Sequence, residues 1–179
     1  SRRFDLTHRE AKRFLDAGGL GDVQQASAYY VKGLANSGSH LLDLLRFFLG
    51  EAEWVQSTPS KSFSSLENDA NCDGLVMFKS EGNPRVISKV LCSIQSLDVK
   101  AYWMFELRIY GTKGLLEIKD SGFTFRYYSP KDSPRFSGFK ELQEERLPFP
   151  EHQQEMLPNA VKNLVNCLEQ QDIPWCEGE

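Results

Sequence analysis

From residue 52 to residue 128 the sequence alternates between apolar and polar side chains with period two, and this limits the fold more than any other feature. In "YWMFELRIYG", Trp103, Phe105, Leu107 and Ile109 share one face, while Met104, Glu106, Arg108 and Tyr110 share the other. "AEWVQST", "CDGLVMFK", "RVISKVLCSIQS", "LLEI" and "FTFRYY" read the same way, because successive side chains of a strand point to opposite faces. The connections are short: Glu81-Gly82-Asn83, the "GTKG" turn and Asp120-Ser121-Gly122. Parallel neighbours need long crossovers, so short turns predict an antiparallel meander. A polar loop around Pro59 to Asn71 and a Pro- and charge-rich loop over 129–150 complete this region.

Helical patterns flank the strands. "THREAKRFLDAGG" carries a capping box, Thr7 with Glu10, and ends on Gly18-Gly19. "DVQQASAYYVK" follows as a strand, with Tyr30 and Lys32 on one face. In "ANSGSHLLDLLRFFLG", Leu41, Leu44, Leu45 and Phe48 recur at helical spacing until Gly50. The last helix carries Val161, Leu164, Val165 and Leu168 on one stripe, with Pro158 in its first turn or at a kink. The sum is an α+β fold: an open, largely antiparallel sheet with helices packed on one face, in a single domain over residues 1–179.

Charge and cysteine content narrow the function classes. The net charge is −4 and there is no basic block, which argues against a nucleic-acid partner. The four cysteines, Cys72, Cys92, Cys167 and Cys176, form no C-x-x-C pair and no zinc spacing, so no metal site and reduced thiols are expected. No signal peptide and no apolar run near membrane-spanning length is present, which sets a cytoplasmic expectation without a membrane partner.

His40 is the residue to explain, because it falls where a polar turn becomes a helix. It either packs beside the helix or does chemistry: a neutral imidazole can accept a proton from a substrate hydroxyl, or donate a hydrogen bond from its other nitrogen. Asp43, three residues on, either orients the ring or solvates the exposed helix face. Asn36 is a substrate hydrogen-bonding group or the N-cap, and spacing alone favours the cap. Gly33 and Gly38 admit a ligand to the backbone or serve as positive-φ turn residues. Lys32 is a solvated edge residue or a ligand contact, and His8 and His152 read as surface residues. "GGLGD" is no dinucleotide fingerprint, since it lacks the third glycine and follows a helix into a strand.

"RRFD", "FLDAGGLGDV", "YYVKGLANSGSHLLDLLRFFLG" and "LRIYGTKGLLEI" follow one another in the order seen in a known family. The chain resembles the C-terminal domain of the glucose–fructose oxidoreductase/inositol dehydrogenase (Gfo/Idh/MocA) family, above all in Gly38-Ser39-His40 with Asp43. The resemblance implies a two-domain parent that uses NAD or NADP to oxidise or reduce a sugar, cyclitol or related polyol. It implies a Rossmann domain, missing from this chain, that binds the dinucleotide and supplies a catalytic lysine. His40 takes the place of the family histidine that handles the substrate hydroxyl proton, with Asn36, Lys32 and Tyr30 touching substrate oxygens and Asp43 behind. Asn36 stands where fuller motifs carry an aspartate, and an amide cannot take a proton as a carboxylate can. The expected partners are a hydroxylated small molecule, the Rossmann domain and further copies of the chain bound through the open sheet. The fragment alone is expected to bind no cofactor and to be inactive. The alternative is a non-catalytic module whose sheet face serves assembly or ligand binding; a cofactor-free hydrolase or lyase has little support.

Overall fold

The computed structural model describes residues 2–60, 68–79, 89–97 and 105–175. The Glu81-Gly82-Asn83 turn, Trp103, Met104 and Cys176 lie outside the described residues. Eight strands form one sheet: β1 Val23–Tyr30, β2 Glu51–Pro59, β3 Cys72–Lys79, β4 Val90–Ser96, β5 Phe105–Gly111, β6 Gly114–Lys119, β7 Thr124–Asp132 and β8 Lys140–Glu145. Their order across the sheet is β2-β3-β4-β1-β5-β6-β7-β8. Every neighbouring pair is antiparallel except β1 with β4, which run parallel from Gln25↔Leu91 to Tyr30↔Ser96. The predicted meander therefore has a break in it. β4 and β5 follow one another in the chain, yet β1 lies between them.

Helices α1 (Leu6–Asp16) and α2 (Ser39–Leu49) cover one face of the sheet. α2 buries the stripe its spacing predicts, Leu41, Leu44, Leu45 and Phe48, with Leu49 added. Each large apolar side chain so buried contributes about 1.5–3 kcal/mol. From the strands, Phe105, Leu107 and Ile109 face this core as the alternation requires, joined by Ala26, Ala28 and Tyr30 of β1. A register shift between Val23 and Gln25 turns Val23 onto the same buried face, a bulge that period-two counting misses.

Three expectations are corrected. The capping residue of α1 is Asp5, whose side chain accepts the His8 amide, and not Thr7; the Thr7 hydroxyl instead accepts the backbone N–H of His152 at 2.9 Å. His8 is no surface residue: it is 1 % exposed, on the same stripe as Ala11 and Leu15. The region after residue 128 is not all loop, because β7 continues to Asp132 and pairs with β8. "KELQEE" lacks an apolar face and forms an edge strand through charge instead, with Lys131 opposite Glu141 and Asp132 opposite Lys140. Across the strands, register sets Arg108 opposite Glu117 at 2.7 Å and Lys119 near Glu106 at 4.0 Å.

The last helix, α3 (Met156–Leu168), has Pro158 in its first turn, where a missing N–H costs nothing. Its apolar stripe is present but faces solvent: Val161, Leu164, Val165 and Leu168 are all exposed. What α3 buries is Asn163, whose amide binds the Asp172 side chain and the Ile173 carbonyl and accepts from the Trp175 N–H. Among the described residues, no helix is long and apolar enough to cross a membrane.

Candidate functional site

β1 ends at Tyr30, and the chain reverses through Lys32 (φ 66°) and Gly33 (φ 93°). A wide helical turn, Leu34–Gly38, then runs directly into α2. The helical path thus begins at Leu34, and its free amides are capped from a distant loop. Asp69 accepts the N–H of Ala35 at 2.8 Å through one carboxylate oxygen and that of Asn36 at 2.9 Å through the other. The Asn71 side chain accepts the Gly33 N–H at 2.8 Å, and the Ala70 carbonyl accepts that of Leu34. Asn36 is therefore inside the turn and not its cap. His40 sits more than one turn into the helical path, where sequence placed it at the start. The helix's exposed amide end lies against Asp69, whose charge suits it.

Only one of the two glycines weighed from sequence is a positive-φ turn residue. Gly33 is, and a Cβ there would come within 2.1 Å of an Asp69 carboxylate oxygen. Gly38 is helical and serves packing, since a Cβ would lie 2.9 Å from Leu34 and 3.3 Å from the Tyr30 ring. Tyr30 itself is fully buried. Its hydroxyl donates to the Cys72 carbonyl and accepts the Cys72 N–H, both at 2.8 Å, so it bonds the end of β1 to the start of β3. Burial pushes its pKa up to about 12. Both hydrogen-bonding capacities of the phenol are used inside the protein, which removes Tyr30 from the substrate contacts expected of it.

His40 is exposed and lines a groove of about 510 Å³ with Arg2, Gln154, Met156, Leu157, Pro158 and Ala160. The groove runs between the start of α2, the segment before α1 and the start of α3, and its size suits a small polar ligand. Asp43, expected behind His40, is engaged by a different partner: Arg3 Nε donates to its carboxylate at 2.7 Å and the Arg3 guanidinium also reaches its carbonyl at 3.2 Å. Arg2 and Gln154 were not singled out from sequence, because nothing local marks residues about 40 and 114 positions away from His40 as its neighbours.

An apolar hollow of about 300 Å³ lies between α2 and strands β2 to β4, lined by Leu34, Leu42, Val55, Val76, Phe78 and other side chains. It offers a hydroxylated ligand few hydrogen-bond partners, and Arg46 at its rim is paired with Glu51 at 2.7 Å. The chemistry-bearing groups are in the His40 groove instead. The glycine cluster after α1 does not fit a dinucleotide either: a Cβ at Gly19 would collide with the Phe14 ring, and one at Gly21 with Thr112. Gly19 thus closes on a side chain of α1 itself, and Gly21 on the turn between β5 and β6.

A second histidine environment is buried under α1. His8 Nδ1 is 3.1 Å from Asp5 Oδ1, its ring stacks on Phe48 and meets Phe125 edge-on, and its Nε2 is buried without a hydrogen-bond partner among the described residues. Burial lowers the His8 pKa from its ordinary value; Asp5 opposes this and Arg2 adds to it.

Residues 32–117 match the model of the GFO/IDH/MocA C-terminal domain. Among solved structures, an NAD-binding protein from Listeria innocua shares the fold at TM-score 0.62 and 16% identity, over 98% of this chain and 57% of that one. The WlbA dehydrogenase from Bordetella pertussis, solved with NADH and UDP-GlcNAcA, matches at TM-score 0.58 and 16% identity, over 97% and 52%. UDP-N-acetylglucosamine 3-dehydrogenase GnnA from Acidithiobacillus ferrooxidans matches at 0.58 and 13%, over 98% and 54%. The chain thus spans about half the length of these structures, and at such identities the likeness carries the fold alone. Comparison with curated proteins gives no match.

Proposed function

We propose that the chain is the substrate-binding part of an NAD(P)-dependent oxidoreductase acting on a sugar, cyclitol or related polyol, and that alone it transfers no hydride. The carrying observation is the exposed His40 in its groove, on the segment that matches the family. In this reading the groove holds a hydroxylated substrate and the His40 imidazole accepts its hydroxyl proton, or orients it by a hydrogen bond. Asn36, about one turn earlier, and Lys32, at the chain reversal, are not in the lining of the groove and in this reading offer an amide and an ammonium to substrate oxygens that extend beyond it. Asp43 holds α2 to the N-terminal segment through Arg3. In this reading the dinucleotide belongs to a separate Rossmann domain, and the sequence "GGLGD" supports that by lacking the third glycine of a dinucleotide fingerprint. Cys72, Cys92 and Cys167 are free thiols, which supports a reducing compartment, the cytoplasm.

In the full-length protein, His40→Ala is expected to lower kcat by about 10²–10⁴-fold, the usual range for a positioned proton-transfer group, with an unchanged thermal midpoint. Turnover near that of the unaltered protein would take His40 out of the mechanism.

A second reading, assembly through the open sheet, rests on its uncovered face. There Trp54, Met77 and Leu91 stand opposite one another on β2, β3 and β4, with exposed Leu75 beside them. A small apolar patch of this kind next to charged pairs suits a subunit contact between copies of the chain. Sedimentation at micromolar concentration is expected to give a dimer or larger species that Leu91→Arg dissociates, whereas a strict monomer counts against it.

A further inference from the structure

We propose that Arg2 is an anion-binding residue of the His40 groove, and that the substrate is a sugar or polyol carrying a carboxylate or phosphate. The proposal rests on the reading of that groove as a substrate site and names the class of substrate it takes.

The observation behind it is a guanidinium without a counter-ion. Arg3, Arg13, Arg46, Arg108, Arg126 and Arg135 each have a carboxylate oxygen at 2.5–3.8 Å. Arg2 has none within 4.0 Å among the described residues, although it is half-buried. Its one hydrogen bond there is from Nη1 to the Met156 sulfur at 3.0 Å. A thioether is a weak acceptor, so most of the five guanidinium donors are left for another partner. Asp5 is the carboxylate whose field reaches Arg2, but Asp5 is committed to the His8 ring and to capping α1.

Arg2 is also held in place. Its guanidinium carbon lies 4.3 Å from the centre of the Phe123 ring, a cation–π contact that fixes the plane of the fork. Gly122 permits this approach, because a Cβ there would lie 3.2 Å from Arg2 Nε and 2.9 Å from His8 Nε2. Burial lowers the Arg2 pKa from its ordinary value, which is the cost of keeping the charge where water reaches it poorly. The rest of the groove is lined by His40, Gln154 and the apolar side chains of Met156, Leu157, Pro158 and Ala160, with no acidic residue among them. A planar, pre-positioned guanidinium facing a groove with no acid matches the two oxygens of a carboxylate or phosphate. Gln154 and His40 then remain for the hydroxyls.

Titration of the full-length protein with glucose, glucuronate, glucose 6-phosphate and inorganic phosphate tests this. Binding of glucuronate or glucose 6-phosphate at least about 10-fold tighter than glucose is expected, a modest return for one bidentate ion pair. Arg2→Gln is expected to erase the preference, weakening the anionic sugars by at least about 10-fold more than it weakens glucose. Should Arg2→Gln fail to fold, Arg2→Lys decides, because it keeps the charge, loses the fork and is expected to weaken only the anionic sugars. Equal affinity for glucose and both anionic sugars, or a preference that survives both substitutions, overturns the proposal and leaves the sugar reading standing. Phosphate binding that Arg2→Gln abolishes, with no sugar bound at all, supports Arg2 and overturns the sugar reading.

Discussion

Gly33→Ala is expected to destabilise the protein by about 3–5 kcal/mol, more than any other single methyl group added near the site. Gly33 has φ 93° and ψ 151°, a region open essentially to glycine alone, and leaving it costs about 1–3 kcal/mol. The added methyl would also occupy the place of Asp69, which it would approach to 2.1 Å. Displacing Asp69 strips the Ala35 and Asn36 amides of their acceptors, and bonds to a charged group are worth about 1.5–3 kcal/mol each. These losses overlap, because one movement of the loop causes both. The turn that carries Asn36 also leads into His40, so activity of the full-length protein should fall together with stability. Asp69→Asn keeps the shape and one acceptor and should cost less. Urea denaturation of the three proteins measures the order, and a Gly33→Ala variant within about 1 kcal/mol of the parent would mean that the turn relaxes without loss.

Acidification should unfold the protein in two steps, both set under α1. His8 has its pKa lowered in the folded state, first by burial, with Arg2 adding to the effect against the opposing pull of Asp5. Below the ordinary histidine value of 6.5 the unfolded chain therefore binds a proton that the folded chain refuses, and stability falls as pH falls. Asp5 supplies the second step. Burial raises its pKa, but the hydrogen bonds from the His8 ring and from the His8 and Thr7 amides outweigh that and hold it below its ordinary 3.8. Its contribution is complete above that value and is lost as pH falls through the lower folded-state value. Denaturant midpoints from about pH 7.5 down to about pH 5 should decline, and His8→Phe should flatten this upper step. The substitution keeps an aromatic ring between Phe48 and Phe125 but removes the ring hydrogen bond to Asp5, so the lower step should weaken as well. A midpoint independent of pH across the upper range would show that the folded protein accommodates the imidazolium.

Periodicity in the chain was enough to write down the α2 stripe, the inward face of β5 and the turn at Asp120–Gly122, since each depends on residues within a few positions of one another. His8 is legible too: its position at a helix start reads as surface, whereas its spacing to Ala11 and Leu15 places it on the buried stripe. The resemblance carried the family and the groove histidine. It carried Tyr30 wrongly, because burial of a strand's last residue depends on which strand lies two places away.

Local sequence therefore determined which segments are helix or strand, which side of each is apolar, and that the sheet is mostly antiparallel. Tertiary structure alone placed β1 between β4 and β5, turned "KELQEE" into an edge strand, capped the His40 segment with Asp69 and brought Arg2 to Met156 across 154 positions. The physical reason is one of range. Side-chain periodicity is a property of the backbone's own repeat, whereas the partner of a buried N–H, a carboxylate or a guanidinium is whichever group the packed chain brings within about 3 Å, and no local pattern records it.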